Sequence, residues 1–226
     1  MIRYCTVEYR CGGISAVLHF SLPLTCHNIP SMKNLLIVCL CLAASCSALR
    51  GFTDAECGVI ASQQGHIMRL WTVADPGDSL FLRRKAVPLG REELQSAHFR
   101  MLKEGMLATV CDTTDRGVGI AAPQVGVSRR LIAVQRFDKP GEPFCFYVNP
   151  EIVWCSQTRL PGSEGCLSIP GVSGSVLRSE RIVVRYLDEE SLRMAADTVE
   201  GFTAVIFQHE VDHLDGVLFI DRLLPR

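Results

Sequence analysis

Between Glu92 and about Val110, the apolar residues Leu94, Phe99, Leu102, Met106 and Leu107 recur near helical spacing behind an acidic start, which predicts a helix. Downstream the period shortens. Arg130–Gln135, Phe144–Asn149, Ile152–Cys155 and Arg181–Leu187 read as short strands, separated by turn-rich pieces such as Lys139-Pro140-Gly141 and Leu160-Pro161-Gly162. Helical spacing returns over Glu200–Leu214, where Glu200 suits the start and Gly216 the end. Asp75-Pro76-Gly77-Asp78 carries a turn signal. No helix alternates with each strand, so a parallel βαβ sheet is not supported. One helix, a block of strands and a second helix predict an α+β fold.

The N-terminal part has a different pattern. Residues 50–69 read as a bridge or linker, in which Phe52, Val59, Ile60 and Ile67 allow a loose helix from Thr53-Asp54. Before it, Met32-Lys33 precedes ten apolar residues, Leu35 to Ala44, and then the small residues Ser45 to Ala48. This is the layout of a secretory signal, too short to span a bilayer, where about 20 residues are wanted. Cys46 stands where a lipoprotein would be processed. A buried strand, or a stretch upstream of the true start, fits the same residues. Residues 1–49 are therefore expected to lie outside the fold, with a single domain over 70–226.

Composition narrows the class. The chain has 226 residues, 48% hydrophobic and 21% charged, with net charge −1, as a globular protein has. No long basic block is present, so nucleic acid and acidic membrane are not the expected main partners, although a small local patch could still lie near a ribosome. A membrane role depends on the N-terminal segment alone, and a monomer is expected. Seven of the 11 cysteines fall within the first 57 residues and no paired CxxC occurs, which argues against a disulfide framework and a structural zinc ribbon.

The chemistry gathers in three segments. In Gln208-His209-Glu210-Val211-Asp212-His213, the two histidines at i and i+4 share a helix face and can reach one ion. Phe202, Val205 and Ile206 are spaced to share that side, which puts the histidines on an apolar wall where each needs a partner. Glu210, offset around the helix, can take a proton from a water that the ion acidifies and pass it to a leaving group. The remaining histidines, His19, His27, His66 and His98, have no second motif around them. Cys166, in Glu164-Gly165-Cys166-Leu167-Ser168, offers a thiolate instead; with two imidazoles it makes a three-ligand site with an open position. Taken alone, Cys166 would be a buried structural thiol. In Gly117-Val118-Gly119-Ile120-Ala121-Ala122-Pro123-Gln124, the glycines allow close backbone approach and Gln124 can donate to a developing oxyanion. The GxGxxA pattern also fits dinucleotide binding, but Pro123 stands where a helix should run and no βαβ unit surrounds it.

In this order, the three segments resemble the signature motifs of peptide deformylases, over about Leu70 to Leu224. The resemblance implies antiparallel sheets packed around a central metal-binding helix, with a helix on the N-terminal side. It implies hydrolysis of the formyl group from N-formylmethionine on new polypeptides, in the cytoplasm, at one divalent ion: Fe²⁺, with Zn²⁺, Ni²⁺ or Co²⁺ able to replace it. Cys166, His209 and His213 match the ligands and Glu210 the acid/base. Gln124 and the Leu167 N–H match the groups that hold the formyl oxygen. Gly119 matches a backbone contact to substrate, and Val118 and Val205 line the methionine pocket. Glu164 and Asp212 would orient ligands or a nearby arginine such as Arg178. An exported metallo-amidase or peptidase acting on other N-acyl peptides is the alternative. The long C-terminal helix seen in some family members is not expected here.

Overall fold

The single helix expected between residues 92 and 110 is two helices. In the computed structural model, which describes residues 4–11, 14–21, 51–62, 66–112 and 117–225, the chain divides into Met1–Ala48 and Leu49–Arg226. The first unit contributes an antiparallel hairpin, β1 (Tyr4–Cys11) with β2 (Ile14–Ser21). The signal-like segment 32–48 lies outside the described residues. No helix among the described residues is long and apolar enough to cross a membrane.

In the second unit, α1 is Asp54–Ser62, α2 Pro76–Leu82, α3 Arg91–Leu94 and α4 Ala97–Val110. The break between α3 and α4 falls at Ser96, whose hydroxyl accepts from the Phe99 N–H and starts a new helix. Similarly, the turn signal at Asp75-Pro76 opens α2: Asp75 caps the N–H groups of Gly77 and Asp78, and Pro76 occupies the first turn, where its missing N–H costs nothing. The bridge carries α1, and Ile60 is buried in the core. Arg129, itself buried, bonds Glu56 of α1, Glu93 of α3 and the Gly51 carbonyl, and so ties the bridge to the rest of the unit.

The main sheet is antiparallel, in the order β3 (Gly119–Ala121), β4 (Leu131–Gln135), β5 (Phe144–Cys155), β8 (Arg181–Leu187) and β9 (Met194–Glu200). The two runs read at 144–149 and 152–155 are one strand, β5, irregular where its register against β8 shifts. Every residue of β4 is buried. Leu131 and Ala133 face the cluster around α1 and α4, whereas Ile132 and Val134 face a second cluster with Phe207 and Leu214 of the last helix, α5 (Gly201–Leu214). The sheet is thus covered on both sides, and α5 packs against β3, β4 and β9. A separate ribbon, β6 (Arg159–Cys166) with β7 (Ile169–Ser179), packs on the other side of α5. The piece read as a turn at Leu160-Pro161-Gly162 is the start of β6, where Pro161 pairs with Leu177. The architecture is the expected α+β arrangement of antiparallel sheets around the histidine-bearing helix.

One short segment joins the loops that carry the site. The Trp71 N–H donates to the Gln124 carbonyl (2.8 Å) and the Val73 N–H to the Ser168 carbonyl (3.0 Å).

Candidate metal centre

Helix α5 starts at Gly201, whose φ of 62° suits a residue without a Cβ, with Glu200 extended before it. One turn apart on it, the His209 and His213 rings lie 5.1 Å from centre to centre. Cys166 ends β6 at the point where the β6–β7 register shifts. Its Sγ lies 3.2 Å from His213 Nε2. One donor atom from each of Cys166, His209 and His213 falls within 4.8 Å of the others. Donors bound to one ion at about 2.0 to 2.3 Å require such a separation.

The electrostatics fit a cation. Burial disfavours a charge on His209, but hydrogen bonding to Cys166 and to Glu164 overcomes it and lifts the imidazole to about 10. The surroundings that hold a proton on this ring favour a positive charge beside it. Burial opposes ionisation of Glu164 too, yet the bonds from His209 and Arg178 bring it down to about 2. His209 Nδ1 meets Glu164 Oε2 at 2.9 Å, which leaves the other ring nitrogen for an ion. Burial and the neighbouring His209 push His213 well below the usual histidine range, so it is a neutral donor. Its Nδ1 is buried with no hydrogen-bond partner among the described residues, as is Glu210 Oε2.

Glu210 sits beside the ligands, 4% exposed, and burial raises it to about 7, partly offset by the charge on His209. Gly119 on β3 permits this: a Cβ there would lie 2.5 Å from Glu210 Oε1 and 2.8 Å from Ile206 Cγ2. Gln124, buried, is held by both ends of its amide. Oε1 accepts the Ala121 N–H at 2.8 Å, so Nε2 is turned toward Ser168 Oγ (3.3 Å) and Cys166 Sγ (3.6 Å).

A cleft of about 640 Å³ opens over these groups. Val118, Gly119, Gln124, Cys166, Leu167 and Val205 line it together with His209 and Glu210, while His213 lies buried behind. All nine residues expected at the site are therefore brought together. Phe202 differs from the expectation of a buried face. It is 56% exposed and leans on Phe137 at the mouth, 5.3 Å between ring centres, on the outer side of a first turn whose Thr203 and Ala204 are buried. Sequence reasoning assigned no role to Ser168, although it stands in the same motif, and did not single out Phe219 or Arg222, whose contacts with the histidine helix come from the turn that follows it, folded back on it.

A Cys/His/His donor set with a buried carboxylate beside it, at the base of a cleft, defines a mononuclear metal-dependent hydrolase. Residues 67–226 match the model of the polypeptide deformylase family, and the chain belongs to that family. A peptide deformylase of Symbiobacterium thermophilum is 45% identical over 141 residues, 62% of this chain and 61% of that protein; the chain thus spans less than two thirds of that relative's length. Peptide deformylase 2 of Xanthomonas campestris is 42% identical over 64% of this chain and 82% of its own. The class I type b peptide deformylase of Acinetobacter baumannii, solved with Met-Ala-Ser bound, is 38% identical with a TM-score of 0.60, covering 69% of this chain and 99% of that one.

Proposed function

We propose that this chain removes the N-formyl group from N-formylmethionine at the start of newly made polypeptides, releasing formate. The observation that carries the reading is the convergence, in one cleft of a deformylase-family chain, of the Cys166/His209/His213 donor set, the Glu210 carboxyl raised to about 7 and the fixed Gln124 amide. A divalent cation held by the three ligands supplies Lewis acidity, which acidifies water and polarises a carbonyl. Glu210, poised near neutrality, accepts the proton of the attacking water and returns it to the departing amine nitrogen. Gln124 Nε2 and the Leu167 N–H donate to the formyl oxygen as negative charge builds on it. Val118 and Val205 give the methionine side chain an apolar wall, and the Gly119 backbone lines the same cleft, where it can contact the substrate chain. Membership of the family implies Fe²⁺ as the working ion, and a thiolate with two imidazoles also accepts Zn²⁺, Ni²⁺ or Co²⁺.

The test is formate release from formyl-Met-Ala-Ser set against deacylation of acetyl-Met-Ala-Ser. Formate from the first, no cleavage of the second, loss on chelation and recovery with ferrous ion under anaerobic conditions are expected. Equal cleavage of both peptides would favour the broader N-acyl amidase and overturn the reading.

A further inference from the structure

His209 is gripped from two directions, and both lead to the same short turn near the end of the chain. Its Nδ1 meets Glu164 Oε2 at 2.9 Å. Glu164 takes a two-pronged bond from Arg178, Nε to Oε1 at 2.8 Å and Nη2 to Oε2 at 3.0 Å. Arg178 Nη1 reaches Asp212 Oδ2 at 2.6 Å. Asp212 in turn receives a second fork, from Arg222: Nε to Oδ2 at 2.6 Å and Nη2 to Oδ1 at 2.7 Å. Glu164 and Arg178 are nearly fully buried, whereas the Arg222 side chain is 46% exposed. The relay therefore runs from the ligand to the surface. The second grip is on the ring itself. Phe219 lies nearly parallel to the His209 imidazole, at 25°, with 6.1 Å between centres.

Phe219 and Arg222 are the two ends of one 3-10 turn, Phe219–Arg222. That turn is held in place independently: Asp221 pairs with Arg83 and accepts the Leu218 N–H, and Leu223 bridges to Val176. We propose that the turn Phe219–Arg222 is a positioning element for the metal ligand His209, with Arg222 as its electrostatic end and Phe219 as its packing end. Arg222 fixes the plane of Asp212. With Asp212 fixed, Arg178 keeps both prongs on Glu164, and Glu164 keeps the His209 ring turned with its free nitrogen toward the ion. Partners behind a ligand set both its orientation and the hold on the metal. The inference rests on the metal-site reading above and extends it to residues that touch neither ion nor substrate.

The test uses full-length protein loaded with Co²⁺, challenged with an excess of pyridine-2,6-dicarboxylate. Cobalt release is timed and the visible ligand-field bands are recorded. Arg222→Ala is expected to release the ion about tenfold faster, with shifted bands. Arg222→Lys, which restores one contact to Asp212, should recover most of the loss. Arg185→Ala, which breaks the exposed pair of Arg185 with Glu151, should match the unaltered protein. The melting temperature of the metal-free Arg222→Ala protein should stay close to that of the parent. Release at the parental rate with unmoved bands overturns the proposal. So does faster release with unmoved bands and a matching fall in metal-free stability, which would make Arg222 a fold residue only. Failure of the unaltered protein to take up one cobalt per chain would instead overturn the metal-site reading itself.

Discussion

Glu210 and Gln124 divide the chemistry between proton movement and charge stabilisation, and the two are separable by mutation. Glu210→Ala is expected to keep one metal ion per chain while turnover falls about a thousandfold, read by metal analysis beside steady-state kinetics. Near-normal turnover with metal bound would remove Glu210 from that role. Gln124→Leu should lower kcat about a hundredfold with KM little changed, since its amide bonds most strongly to charge that exists only in the transition state. Cys166→Asp should retain ion binding through oxygen yet change the preference between iron and zinc, measurable by competition in metal uptake. These residues were legible from sequence because their relations are local: His209 and His213 one turn apart, Glu210 between them, Gln124 and Cys166 within short motifs. Arg222 and Phe219 were not, because their meaning comes from a turn folded back against α5 by Asp221 and Arg83, a contact no local period encodes.

At the scale of elements, glycine marks where backbone and side chains must come close. Gly126 has φ 82°, and a Cβ on it would run into the Trp71 indole, so Gly126→Ala is expected to destabilise the fold by about 2 kcal/mol, read from urea unfolding. Strand legibility followed the same physics. β8 matched its expected limits, and β5 read as two runs because Pro150-Glu151 interrupts it, where its register against β8 also shifts. β6 and β7 went unread. They form a two-stranded ribbon rich in Gly and Pro, most of whose side chains face solvent, so neither alternation nor an apolar run announces them. Helix α5 was legible nearly to the residue because its apolar side is pressed into the sheet. Gln95-Ser96 broke the expected long helix because a serine cap outweighs apolar spacing that continues across it.

For the whole molecule, buried carboxylates set how stability responds to acid. Burial alone would raise Glu56, but the Arg129 and Thr53 bonds hold it below the usual range, and the Arg69 fork lowers Asp78 against a smaller burial penalty. A folded-state value below the unfolded one means that the unfolded chain binds more protons as pH falls through this region. The stabilisation is thus complete above the ordinary carboxylate values of 4.5 for Glu56 and 3.8 for Asp78, and is lost as pH drops through their lower folded values. Urea midpoints should decline once pH falls below the ordinary carboxylate value of 4.5. In Glu56→Gln the midpoint should start lower at neutral pH and decline less steeply; a parallel curve would deny Glu56 this part.

The two bonds from Trp71 and Val73 to the Gln124 and Ser168 carbonyls have a consequence for exchange with deuterated water. The Trp71 amide opens only when the entry segment leaves the Gln124 loop, and the Val73 amide only when it leaves the Ser168 loop, so their exchange times read the integrity of both contacts without any substrate or ion. Both should exchange slowly, and far more slowly than the amides of Gly171 and Val172 at the exposed rim of the same cleft.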